Sequence, residues 1–247
     1  MLNPKHNVHI FSDKVALDHA AVDYWLRQAQ LAIEERGSFH VALTGGSSPQ
    51  AMYRLLADGE YKDRVDWQRV HIYIGDERFV PHDHPDSNYG MARNCFLDHV
   101  AIPDANLHPI LTEGMEPVQS AEQYASALQL SIPSNVGHLP QFDLIMLGMG
   151  DDGHTASLFP DTDILAVKDK TVAAVYVDKL TTWRVSLTYS VLNAARQIMF
   201  IVCGVNKADI LAHVLKQGSD HIYPVQGVNS LGDMHWFLDQ AAASKLD

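Results

Sequence analysis

Short apolar runs alternating with helical stripes predict an α/β fold for this chain, with helices layered on both faces of a mainly parallel, Rossmann-like sheet. Three observations carry that expectation. Leu144, Ile145, Met146 and Leu147 form an uninterrupted apolar run that stops at Gly148, as a strand buried on both faces does where it meets its C-terminal loop. Runs at 40–43, 70–74 and 198–202 end the same way, at loops rich in glycine or charge. Between them, apolar residues recur at helical spacing. With 247 residues, 47% of them apolar, the chain can supply one large core, and no repeat or low-complexity tract divides it. Residues 1–247 therefore read as a single three-layer domain.

Charge narrows the function classes. Lys plus Arg total 18 against 30 for Asp plus Glu, a net charge of −12, which argues against nucleic acid and anionic membranes as partners. An anionic ligand would need a locally basic site. No N-terminal basic and apolar run resembles a signal peptide, and no apolar run approaches the roughly 20 residues that span a bilayer, so a cytoplasmic location is expected. Cys95 lies in a helical pattern and Cys203 at the end of an apolar run. Both read as small buried hydrophobes, with no disulfide and no thiolate metal site.

Taken in order, residues 8–11 predict a first strand, and Val15, Val22, Leu26, Ala29 and Ile33 a helix ending at Gly37. The strand at 40–43 runs into Thr44, Gly45, Gly46, Ser47, Ser48 and Pro49. Ser48 is placed to cap a helix that has Pro49 at its first position. Free amides, hydroxyls and the positive end of a helix dipole would converge there as a phosphate cradle. The strand at 70–74 leads into Gly75, Asp76, Glu77 and Arg78, which in a parallel sheet point to the same rim; alone they are equally a solvated charge cluster. His82, Asp83 and His84 sit in a Pro- and Asp-rich stretch that reads as exposed loop rather than metal site. Ser87 and Asn88 open a helix toward His99, with Arg93 expected on its wet face. Residues 102–117 are broken by Pro103, Pro109, Gly114 and Pro117, and are expected to be irregular. A helical stripe follows at Ala121, Tyr124, Ala125 and Leu128, and Pro133, Gly137 and Pro140 then return the chain to the strand at 144–147.

Beyond that strand stand Gly148, Gly150 and Gly153, with Asp151, Asp152 and His154 among them. The glycines let the backbone turn sharply and approach a ligand. An imidazole titrating near neutrality, with a carboxylate two residues away to fix its tautomer, suits a general base. The same spacing also fits a glycine-rich turn with a surface His. Later, residues 171–177 are rich in β-branched side chains, and Arg184 precedes Val185, Ser186 and Leu187. Lys207 opens a helix over 208–215, where a cation opposes the helix dipole unless an anion is bound nearby.

The segment GMGDDGHTASLFP resembles the signature of the 6-phosphogluconolactonase family, in which a GxGxDGHxASLFP stretch carries the proposed catalytic His. Further segments are similar to that family: TGGSS to a TGGSTP-like phosphate loop, GDERFVP, the run SNYGMARNCFLD, RVSLT to an RxTLT strand, and the Ala-rich ending after Leu238. Residues 223–228 depart from it. The likeness covers nearly the whole chain. It implies the sheet type shared by glucosamine-6-phosphate deaminases and ribose-phosphate isomerases, and hydrolysis of a sugar-phosphate lactone with no cofactor or metal. His154 and Asp152 would be catalytic. Thr44, Gly45, Gly46, Ser47, Asp76, Arg78, Asn88, Gly150, Gly153, Arg184 and Lys207 would bind the substrate or its phosphate. Asp152 is expected to raise the His154 pKa, and backbone amides of the glycine-rich loop to stabilise an oxyanion. Related deaminases carry an acidic residue where this chain has Phe159, which weighs against deamination. A non-turning sugar-phosphate sensor would normally bring a DNA-reading element, and no basic helix-turn-helix segment is present. Oligomeric state is not legible.

Overall fold

The computed structural model describes residues 3, 5–134, 138–216, 218–220 and 222–246; Gly137, expected to help turn the chain, lies outside them. Strand β1 (His6–Phe11) leads into the long helix α1 (Lys14–Arg36). Asp13 caps α1 by accepting from the Ala16 amide at 2.9 Å, and Gly37 closes it in the left-handed region. Next come β2 (Phe39–Leu43), α2 (Gln50–Leu56), β3 (Val70–Ile74) and β4 (Asp76–Arg78). They are followed by α3 (Asn88–Cys95), β5 (Leu107–His108), α4 (Pro117–Ser131) and β6 (Leu144–Leu147). The last third holds β7 (Val172–Val177), β8 (Thr182–Leu187), α5 (Tyr189–Ala194), β9 (Gln197–Val202), α6 (Ala208–Leu215) and β10 (Asp233–Asp239).

Seven strands pair in parallel in the order β1-β10-β9-β6-β2-β3-β5. β6 is central and buried at all four positions, which is why its sequence shows no polar alternation. From β2 the chain moves outward to β3 and β5, then returns to β6 and moves outward the other way to β9. The β2/β6 boundary is thus a topological switch point, where a crevice opens beyond the strand ends. α1 lies against β1, β2 and β10. One hydrophobic cluster joins these layers; in it Phe200 and Trp236 stack at 3.9 Å, and burying each such ring contributes about 1.5–3 kcal/mol.

Three sequence expectations are corrected here. Asp76, Glu77 and Arg78 form not a loop but an edge of a second, antiparallel sheet, β4-β8-β7, because β4 pairs with β8 in the register Asp76↔Ser186 to Arg78↔Arg184. Ser48 does not cap α2: the helix starts at Gln50 with Pro49 as its N-cap residue and no side-chain cap, after a turn in which the Gln50 amide donates to the Ser47 carbonyl. The stretch 102–117 contains the two-residue strand β5, which covers the edge of β3.

Candidate active site

The strand ends are held from outside the loops they feed. The Tyr53 hydroxyl accepts from the Thr44 amide at 3.1 Å and donates to the Thr44 carbonyl at 2.9 Å, and Tyr124 holds both backbone groups of Ile74 in the same way. Lys14, from the first turn of α1, donates to the Ser48 carbonyl at 2.8 Å while bound to Asp18. These contacts fix the 44–48 loop at one wall of a cavity of about 430 Å³. Thr44, Gly45, Gly46 and Ser47 line it, as do Asp76, Arg78 and Asn88 from the β4–α3 corner. Gly150, His154, Arg184 and Lys207 complete the expected set.

The corner is built on Glu77. Its fully buried carboxylate accepts from the amides of Arg78, Asn88 and Tyr89 and from the Ser87 hydroxyl, so β4 and the start of α3 move as one piece. Ser87, not Asn88, caps α3 by accepting from the Gly90 amide. Asn88, 3% exposed, donates to the Asp76 carbonyl at 2.7 Å. Arg93 pairs with Asp98 on the exposed face, away from the cavity, as expected of it. Asp76 receives the Ser157 hydroxyl at 2.7 Å and lies 3.9 Å from Arg184. Ser186, the one departure within RVSLT, accepts from the Ser157 amide at 3.2 Å.

The glycine-rich loop places the imidazole. His154 Nδ1 donates to Asp152 Oδ1 at 2.5 Å, and the same oxygen accepts from the His154 amide at 3.1 Å. An ionised carboxylate only accepts, so Nδ1 carries the hydrogen and Nε2 keeps its lone pair. Phe159 fixes the ring plane by stacking on it at 4.0 Å. A Cβ at Gly150 would lie 2.0 Å from His154 Nδ1, so only glycine permits this packing.

Two predicted residues stand off the cavity wall. Asp152 lies behind His154, its other oxygen paired with Lys179, and Gly153 turns away at φ +74° to pack on Tyr223, where a Cβ would meet the ring at 2.6 Å. The divergent 223–228 segment thus buttresses the loop, and Val225 donates to the Gly153 carbonyl. Cys203 corrects an expectation in the opposite direction, because it lines the cavity rather than packing only in the core; burial pushes its thiol up to about 11. The misfit of Lys207 at the start of α6 has an internal partner, since Lys207 pairs with Asp151 and holds that carboxyl below its usual range.

The His154 pKa moves opposite to the sequence expectation. Burial pulls it down to about 4; Arg184 and Lys207 act in the same direction, against Asp76 and Asp151. The imidazole is therefore neutral at pH 7. Arg184, 9% exposed, is itself pushed below its ordinary value by burial, with Asp76 opposing. Arg78 Nε, Arg184 Nε and Asn88 Oδ1 are buried with no hydrogen-bond partner, three unmet polar atoms around one cavity, as a site built for a polar ligand leaves them. Among the described residues, no group of three or more His, Cys, Asp or Glu side chains is arranged to hold a metal ion. Sequence reasoning missed Ser157, Asp151 and Lys179. Asp151 and Ser157 lay inside the recognised segment, Asp151 at one of its variable positions, and Lys179 lay outside it.

A basic crevice at a switch point of a parallel sheet, with a carboxylate-oriented imidazole at its edge, defines an α/β protein of the kind that handles phosphorylated sugars. Residues 12–236 match the family described as glucosamine-6-phosphate isomerases/6-phosphogluconolactonase, and the chain belongs to it. It is 39% identical over 243 residues to the 6-phosphogluconolactonase of Nostoc sp. (98% of this chain, 99% of the relative) and 41% identical over 216 residues to that of Synechocystis sp. (87% and 88%). The solved structure of 6-phosphogluconolactonase from Trypanosoma brucei superposes with a TM-score of 0.87 at 25% identity, covering 100% of both chains. A monomeric glucosamine-6-phosphate deaminase shares the fold at a TM-score of 0.81 and 16% identity, over 97% of this chain and 99% of that one.

Proposed function

We propose that this chain hydrolyses 6-phospho-D-glucono-1,5-lactone to 6-phospho-D-gluconate, the second step of the oxidative pentose phosphate pathway. The observation that carries this reading is the His154 ring, held at Nδ1 by Asp152 and presented at the wall of a cation-lined cavity. His154 Nε2 takes a proton from water as the water oxygen bonds to the lactone carbonyl carbon. The carbon–ring oxygen bond then breaks, and the proton passes from Nε2 to the departing oxygen. Asp152 orients the ring and balances its charge while the proton is held. Phosphate recognition falls to Thr44, Gly45, Gly46 and Ser47 with Arg184, supported by Arg78 and Lys207, while Asp76 and Asn88 meet sugar hydroxyls. Gly150 belongs to the wall beside the base, and Gly153 shapes the loop.

The loop's own hydrogen bonds narrow the choice of oxyanion donors. The Gly150 amide donates to the His154 carbonyl at 2.8 Å, the Gly153 amide to the Gly150 carbonyl, and the His154 amide to Asp152. These three amides are engaged, which leaves the other amides of the loop and the side-chain donors of the cavity wall to meet charge developing on the carbonyl oxygen. A cytoplasmic setting is part of the proposal. No helix among the described residues is long and apolar enough to cross a membrane, and three plant relatives are named as chloroplastic. Hydrolysis of freshly generated lactone above its spontaneous rate is the expected result; decay at the spontaneous rate with saturating protein would refute the assignment.

A further inference from the structure

Lys179 sits outside the cavity and outside every motif, yet it reaches the machinery. It lies in the 3-10 turn Asp178–Leu180, the tip of the β7–β8 hairpin, which Thr181 closes in the left-handed region. Its ammonium is paired with Asp152 Oδ2 and stands 4.8 Å from the centre of the Phe159 ring. The Phe159 ring is also the platform on which His154 stacks. One carboxylate therefore has its two oxygens divided, Oδ1 on the imidazole and Oδ2 on the ammonium. One aromatic ring underlies both cations of that relay when the imidazole is protonated.

The division has a chemical consequence. A free aspartate against Nδ1 would favour the imidazolium, and a protonated ring cannot act as a base. A cation on the far oxygen offsets part of that attraction and stops the carboxylate from rotating. The remaining charges facing His154 are Asp76 from β4, Arg184 from β8, Asp151 from its own loop and Lys207 at the start of α6. None of them contacts Asp152 Oδ2 in place of Lys179. We propose that Lys179 is a positioning residue, acting through Asp152 to hold the His154 ring in the tautomer with a free Nε2. This rests on the lactonase reading for its effect on turnover, but not for its effect on the imidazole.

The test pairs two readouts on the folded full chain: the His154 ring titration followed by NMR without substrate, and steady-state lactone hydrolysis. In Lys179→Met the titration midpoint should rise by roughly half a unit to one unit. The value of kcat should fall roughly tenfold with KM changed less than about twofold, the pattern of a lost orienting contact rather than lost binding. Lys179→Arg should restore the wild-type midpoint and most of the turnover. In an Asp152→Asn background, Lys179→Met should add nothing further, because the partner through which it acts is gone. An unchanged midpoint in Lys179→Met would show an ordinary exposed ion pair and overturn the proposal. A rise in KM confined to the phosphorylated lactone would overturn it too, by making Lys179 a direct substrate contact. Failure of the lactonase reading itself shows separately, as wild-type decay at the spontaneous rate whatever the NMR midpoint.

Discussion

Replacing Gly150 by alanine perturbs the proposed base without touching it chemically. The Gly150 backbone is not in the left-handed region, so alanine is tolerated conformationally and the cost is steric. Its Cβ would lie 2.0 Å from His154 Nδ1, 2.1 Å from Cε1 and 2.8 Å from Asp152 Oδ1. Carbon and nitrogen at ordinary contact need about 3.5 Å, so the ring must shift by more than about 1 Å or lose its bond to Asp152. Phe159, stacked on the ring, blocks one direction of escape. A misplacement of about 1 Å costs on the order of 100-fold in rate, and the lost hydrogen bond to a charged group adds about 1.5–3 kcal/mol of orientation. Gly150→Ala should therefore lower kcat at least about 100-fold while thermal stability falls by no more than about 2 kcal/mol. The assay is lactone hydrolysis corrected for the spontaneous reaction, run beside a thermal melt. Turnover within about threefold of wild type in a folded variant would refute the placement of His154 against Gly150 as the catalytic arrangement.

Arg184→Met should raise KM for the phosphorylated lactone by roughly 10- to 100-fold, the loss of about 1.5–3 kcal/mol of charged hydrogen bonding, and leave the unphosphorylated lactone little changed. A fall in kcat equal for both substrates would instead assign Arg184 to the oxyanion. Burial depresses His6, His40 and His108 to about 4, and in His40 and His108 the neighbouring histidines add to it. Their folded-state values lie below the unfolded value near 6.5, so the stability they contribute is complete above that pH and is lost as pH falls toward 4. Denaturant midpoints should drop steadily over that window, each unit of depression corresponding to about 1.4 kcal/mol; a flat profile would contradict the neutral burial of this set.

Strand positions were legible because uninterrupted apolar runs report burial on both faces, and 144–147 and 70–74 coincide with β6 and β3. The helix over 208–215 coincides with α6. Partner choice was not legible, because periodicity reports whether a side chain is buried and not what covers it. The pairing of β1 with β10 joins the two ends of the chain, and β4 was hidden because three charged residues do not look like a strand until β8 supplies the ladder. At the site, motif likeness located His154 and the 44–47 loop. The pairs Ser157–Asp76, Lys207–Asp151 and Lys179–Asp152 span long separations that no local pattern encodes. The downward shift of the His154 pKa has the same root: spacing displayed the Asp152 carboxylate but not the burial of the ring.

The most direct test of the central claim, that a neutral His154 is the base, is the pH dependence of kcat/KM, which reports the free enzyme's groups, for wild type and His154→Ala between pH 4 and 7.5. An unphosphorylated lactone run in parallel removes the substrate phosphate, which titrates near pH 6. Because the ring is held neutral down to about 4, wild-type activity should persist well below the ordinary imidazole range and fall only as pH approaches that value. His154→Ala should lose at least about 100-fold and show no such limb. A His154→Ala variant that keeps wild-type turnover, or a wild-type limb near or above 6.5 on the unphosphorylated lactone, would contradict the account.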